Sequence, residues 1–125
     1  MLKAAAARMN AARCWVTYYG KMFDIPFLNT RLLRWEMEPL TKKPHLDLYF
    51  TLRSAILTGR RSQGHLLSFL QLPEQKMGVS ATVWSEITAD PKKHMPTMAR
   101  RCNRDTAGLR ALYKKTRHLI REISR

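Results

Sequence analysis

Eight residues near the end of the chain, Met98, Cys102, Asp105, Leu109, Leu112, Thr116, Leu119 and Ile123, recur at spacings of 4, 3, 4, 3, 4, 3 and 4. Residues that return every three or four positions form one stripe of an α-helix, and most of these are apolar. The spacing predicts a long amphipathic helix over residues 96–125. Nothing earlier sustains such a run, because Pro26, Pro39, Pro44, Pro73 and Pro91 interrupt the chain. Proline inside a helix removes a hydrogen bond and clashes with the preceding turn. The expected fold is therefore mainly α, with several short amphipathic helices in an extended or loosely packed arrangement and one long basic C-terminal helix. At 125 residues the chain is expected to be a single small helical subunit.

The opening MLKAAAARMNAARCWVTYYGKMF holds Lys3, Arg8, Arg13 and Lys21 and no acidic residue before Asp24. Alanine-rich, basic, acid-poor segments of this kind resemble mitochondrial transit peptides. Trp15, Tyr18, Tyr19, Met22 and Phe23 fall at i, i+3, i+4, i+7 and i+8, which predicts an aromatic helical face that a disposable address does not need. Residues 1–23 are expected to be a presequence-like helix that stays in the protein. Between the two ends, DIPFLNT reads as a turn, with Asn29 or Thr30 capping a helix RLLRWEME. LTKKP reads as a linker, and residues 44–59 as a helix opened by Pro44. RRSQGHLLSFLQLP reads as a basic loop and a short helix closed by Pro73. GVSATVWSEI is ambiguous between strand and helix, and Asp90 is a possible cap.

Charge is the strongest global signal. The chain carries 23 Lys and Arg against 9 Asp and Glu, a net +14, which points to a polyanionic partner. Residues 92–125 hold eleven of the basic residues and two acids, +9 of that charge, most of it on the last helix. Its Arg100, Arg101, Arg104, Arg110, Lys114, Lys115, Arg117 and Arg121 are the expected anion-binding residues, toward lipid, acidic subunits or RNA.

No catalytic set, cofactor site or metal site is expected. The four histidines never fall at HxxxH or HExxH spacing, and the acids are scattered. Gly59 and Gly64 have the gap of a phosphate-binding loop, but His65 and Leu66 replace its lysine and hydroxyl residues. Cys14 and Cys102 lack a CxxC partner and are expected to be buried small side chains. No apolar run approaches the roughly 20 residues of a membrane span.

The stretches LDLYFTLRSAIL (46–57) and LRALYKKTRHLI (109–120) resemble the helix signature of LYR-type mitochondrial proteins, a Leu-Tyr-Arg triplet opening a basic amphipathic helix. Phe50 and Lys114 stand at the arginine position. The resemblance implies a matrix component of three helices, such as an accessory subunit or assembly factor of a respiratory complex, several of which bind acyl carrier protein. The expected function is a non-enzymatic accessory subunit of a mitochondrial inner-membrane respiratory-chain assembly, on the matrix side. It would contact neighbouring subunits and anionic phospholipid. Trp15, Tyr18, Tyr19, Met22 and Phe23 would anchor one end, and Leu109, Leu112, Leu119 and Ile123 the other. The alternative is a mitochondrial ribosomal protein whose basic C-terminal helix contacts rRNA.

Overall fold

Capping residues set most of the helix starts. Ser62 accepts a hydrogen bond from His65 N to open α4, Ser80 accepts one from Val83 N to open α5, and Asp90 accepts one from Lys93 N ahead of α6. The computed structural model describes residues 1–76 and 78–120, and these contain α1 (Leu2–Ala11), β1 (Trp15–Thr17), α2 (Asp24–Arg34), β2 (His45–Asp47), α3 (Leu48–Arg53), α4 (Gln63–Phe69), α5 (Ala81–Ala89), α6 (Pro91–Thr116) and a 3-10 turn at Arg117–Leu119. The protein is mainly α. None of these helices is long and apolar enough to cross a membrane.

The chain divides into two compact units. The first, Met1–Leu57 with the segment from residue 117, is built on β1–α2–β2. The two strands pair in parallel, with Trp15 opposite His45, Val16 opposite Leu46 and Thr17 opposite Asp47. Parallel neighbours need a crossover connection, and α2 supplies it. Asp24 opens α2 and Pro26 lies in its first turn, where the missing N–H has no intrahelical partner to lose. Leu32, Leu46, Leu48 and Leu52 form the buried apolar set.

In the second unit, Thr58–Thr116, α6 packs with both α4 and α5. Gly108 lets α4 come close, because a Cβ there would lie 2.8 Å from Leu67 Cδ1 and 3.3 Å from Gln63 Nε2. Gln63 Nε2 in turn donates to the Asp105 carbonyl at 3.0 Å. Leu66, Leu67 and Leu112 are buried around this contact.

Helices α2 and α4 end in the same way. Glu36 N donates to Leu33 O and Met37 N to Leu32 O; Gln71 N donates to Ser68 O and Leu72 N to Leu67 O. These are Schellman closures, which put the residue after the C-cap in the left-handed region. Glu36 (φ 56) and Gln71 (φ 55) occupy those positions in place of glycine.

The structure corrects several expectations. The N-terminal helix stops at Ala11, and residues 15–17 are strand rather than the middle of a helix over 1–23. DIPFLNT is helix, not turn, and residues 45–47 are strand, so the helix read over 44–59 shrinks to Leu48–Arg53. GVSATVWSEI resolves to a helix from Ala81. The long helix begins at Pro91, five residues ahead of Pro96, and runs through it. Both cysteines are exposed.

Gln71→Gly should raise stability by up to about 1 kcal/mol, since glycine adopts the left-handed conformation without the Cβ penalty. Leu67→Ala, at a fully buried position, should cost roughly 2–5 kcal/mol. Urea denaturation of both variants beside the parent checks each sign.

Candidate functional site

Asp47, at the end of β2, is 1% exposed, and three backbone N–H groups surround its carboxylate. Oδ1 accepts from Tyr19 N at 2.8 Å and from Tyr49 N at 3.1 Å, and Oδ2 accepts from Lys21 N at 2.9 Å. The bond from Tyr49 caps α3, while the other two pin the loop of residues 18–23 that follows β1. That loop is tight. Tyr19 has φ 64, in the left-handed region that bulky residues rarely adopt. Its ring is held edge-on to Tyr49 at 4.7 Å and stacked on Phe50 at 5.8 Å. A Cβ on Gly20 would lie 2.5 Å from Thr17 Cβ, so only glycine fits the close approach.

Thr17 Oγ1 and His45 Nε2 share a hydrogen bond of 2.7 Å across the strand pair. The Trp15 ring meets the His45 ring edge-on at 5.7 Å, and its Nε1 donates to Met9 O at 2.9 Å. Burial lowers the His45 pKa below its usual 6.5; the Asp47 carboxylate pulls upward, Lys21 pushes down and Asp24 pulls up, leaving the ring below its ordinary value.

Beside His45 lies a half-open cavity of about 250 Å³ lined by Trp15, Lys21, Ile25, Asn29, Leu40, Lys42, Lys43 and His45. Ile25 and Asn29 come from α2, one turn apart. The segment of residues 37–44 closes the other side. It is tied down twice, by Leu40 N donating to Asn29 Oδ1 at 2.9 Å and Thr41 N donating to Asn10 Oδ1 at 2.8 Å. These bonds fix the stretch that carries Lys42 and Lys43. The lining thus combines Trp15, Ile25 and Leu40 with Lys21, Lys42 and Lys43, and no acidic residue is among the lining residues.

The residues expected from sequence are placed differently. Trp15 is buried in β1, Tyr18 and Tyr19 lie in the loop held by Asp47, and Met22 and Phe23 are exposed. They do not share a helical face. On α6, Leu112 is fully buried, Leu109 is half-buried and Leu119 is exposed. The buried face runs instead through Gly108, Leu112 and Thr116. Arg100, Arg104, Arg110, Lys114, Lys115 and Arg117 are exposed. Arg101 is half-buried, with its guanidinium 5.2 Å from the Trp84 ring centroid. Arg121 and Ile123 lie outside the described residues.

Sequence reading missed Asn29, Lys42, Lys43, His45 and Asp47 as site residues because it assigned them to a turn or cap, a linker and a helix. One signal was available. Pro44 biases the preceding residue toward extended backbone, which favoured a strand start over a helix start at that point.

Asp47→Asn should cost roughly 3 kcal/mol, because it faces the Lys21 N–H with a donor or an uncharged acceptor and weakens charge-assisted bonds. His45 makes stability depend on pH in a definite direction. Its folded pKa is lowered, so the unfolded chain takes up the proton first, and stability falls as the pH drops through 6.5 toward the folded value. Above that window the contribution is constant. Urea midpoints across this range should fall more steeply for the parent than for His45→Gln.

No curated protein and no solved structure matches the chain. The family model of the RNase_H superfamily matches residues 1–116. This finding overturns the expected role as a non-enzymatic accessory subunit of a respiratory-chain assembly at the mitochondrial inner membrane, and with it the ribosomal alternative. The superfamily has a nuclease-type fold, so the expectation that the chain is not an enzyme is corrected as well. With the match running from α1 to the last residue of α6, the chain belongs to the RNase_H superfamily.

Proposed function

We propose that the chain acts on nucleic acid as a nuclease, binding the phosphodiester backbone and hydrolysing it. The observation that carries this reading is the family match over residues 1–116. Two features of the chain support it. The net charge of +14 suits a polyanionic substrate, and phosphate neutralisation by Lys and Arg dominates nucleic-acid affinity. Lys21, Lys42 and Lys43 line the cavity beside His45 and add to the positive charge of the first unit.

Nucleases commonly use divalent ions, held by several oxygen ligands, to activate water and stabilise the leaving oxygen. The described side chains do not fit such a centre. Both oxygens of Asp47 are engaged by backbone N–H groups, and Asp24 is a lone exposed carboxylate in the first turn of α2. Among the described residues no group of three or more His, Cys, Asp or Glu is placed to hold a metal ion. The role derived for these residues is substrate binding: the ammonium groups neutralise phosphate, and the Asp47 clamp fixes the loop that carries Lys21.

The purified chain, incubated with end-labelled single-stranded and duplex RNA and DNA in magnesium buffer, should yield shortened products that follow the protein through gel filtration. Binding of uncleaved oligonucleotide should weaken steeply with salt, log Kd rising linearly with log salt concentration. Absence of cleavage on all four substrates counts against the proposal.

A further inference from the structure

The exposed side of α2 carries a ladder of rings and guanidinium groups. Phe23, Phe27, Arg31 and Trp35 stand four residues apart, and residues at that spacing are neighbours on one side of a helix. Phe27 N donates to Phe23 O at 2.9 Å and Trp35 N to Arg31 O at 3.2 Å, so the helical spacing extends through both ends of α2. The Phe23 and Phe27 rings lie within 13° of parallel, with centroids 5.9 Å apart. The Arg31 guanidinium is 5.2 Å from the Phe27 centroid, and that of Arg34 is 4.9 Å from the Trp35 centroid. Leu32, on the inner side of the helix, is fully buried, whereas Phe23, Phe27 and Trp35 are 63%, 48% and 63% exposed. Large apolar side chains gathered on a surface in this way mark a place of contact.

The arginines narrow the partner. Stacked arginine and aromatic groups accept further flat rings and leave positive charge beside them for phosphate. A second copy of the chain would instead bring another net charge of +14 against the first. Asp24, Glu36 and Glu38 lie in the same segment, so α2 is not a strongly positive surface. Long-range attraction of a polyanion comes from the whole chain, and what α2 adds is ring faces. We propose that the exposed side of α2 is a stacking platform for unpaired bases, on which single-stranded nucleic acid lays successive bases against Phe23, Phe27 and Trp35 with Arg31 and Arg34 beside its phosphates. The choice of nucleic acid rests on the nuclease reading, which the platform deepens by naming a single-stranded substrate. A duplex keeps its base faces stacked inside and cannot use it.

Fluorescence anisotropy of the full chain with a labelled single strand and with its duplex, in EDTA so that both stay intact, tests the platform. Phe27→Ala and Trp35→Ala should each weaken the single strand about fivefold or more. The same substitutions should leave the duplex within about twofold and the salt dependence unchanged, because no phosphate contact is removed. Trp35→Phe and Trp35→Leu are similar in volume at an exposed position, so their comparison isolates the ring: Phe should hold the strand and Leu should release it. Equal binding by these two variants would reduce the surface to a merely apolar one and overturn the platform. Equal weakening of strand and duplex by the alanine variants, or no weakening of the strand, would overturn it as well. A parent dimer in gel filtration that Trp35→Ala converts to monomer, with strand binding intact, would give the face to a second copy. Ring-dependent strand binding without cleavage in magnesium leaves the platform standing while the nuclease reading fails. Cleavage by the parent with ring-independent strand binding does the reverse.

Discussion

The first unit depends on one buried carboxylate. A charge removed from water is very costly unless hydrogen bonds replace its hydration, and Asp47 meets that requirement with three backbone N–H groups from two directions. Each bond has a second consequence. Tyr49 N caps α3, and Tyr19 N and Lys21 N tie the loop after β1 to the end of β2. Tyr19 is thereby held at positive φ, a conformation that costs about 1–2 kcal/mol for an L-residue and persists only where its surroundings impose it. The strand pair is only three residues long, so its own ladder contributes few bonds. The carboxylate and the Thr17–His45 contact supply what the short ladder lacks.

This also explains which parts of the fold were legible in the sequence. Helices α4 and α6 were read because their determinants are local: Pro73 follows the end of α4, and Leu112 recurs with Asp105 and Thr116 along α6. The strands were not legible. Trp15, Tyr18, Tyr19, Met22 and Phe23 fit a helical spacing, yet Trp15, Tyr18 and Tyr19 are placed by residues 28–31 positions away, at His45, Asp47 and Tyr49. Periodicity cannot report a partner at that distance. Gly20 was the local warning, and its reason is the close approach to Thr17 rather than simple helix breaking. The cavity was hidden for the same reason. Its walls come from β1 and the loop after it, from α2, from β2 and from a segment read as linker, which the side chains of Asn10 and Asn29 hold in place.

The functional expectation failed at a different step. Excess positive charge points toward a polyanion but not to its kind, because lipid headgroups, acidic proteins and nucleic acids all attract lysine and arginine. The choice among them leaned on a presequence-like helix over residues 1–23 and on apolar and aromatic stripes of several short helices, and the N-terminal stripe does not exist as a helix face. With it removed, the family match and the charge point the same way.

The positive charge acts on two scales. The exposed basic residues of α6, among them Arg104, Arg110 and Lys114, lie in solvent, where salt screens them beyond about 10 Å at 0.1 M and each contributes little alone. Lys21 and Lys43 are half-buried beside Ile25, Leu40 and Trp15, so their charges sit at a lower effective dielectric and are screened less than those on α6. The same number of charges therefore does more in the cavity than on the helix.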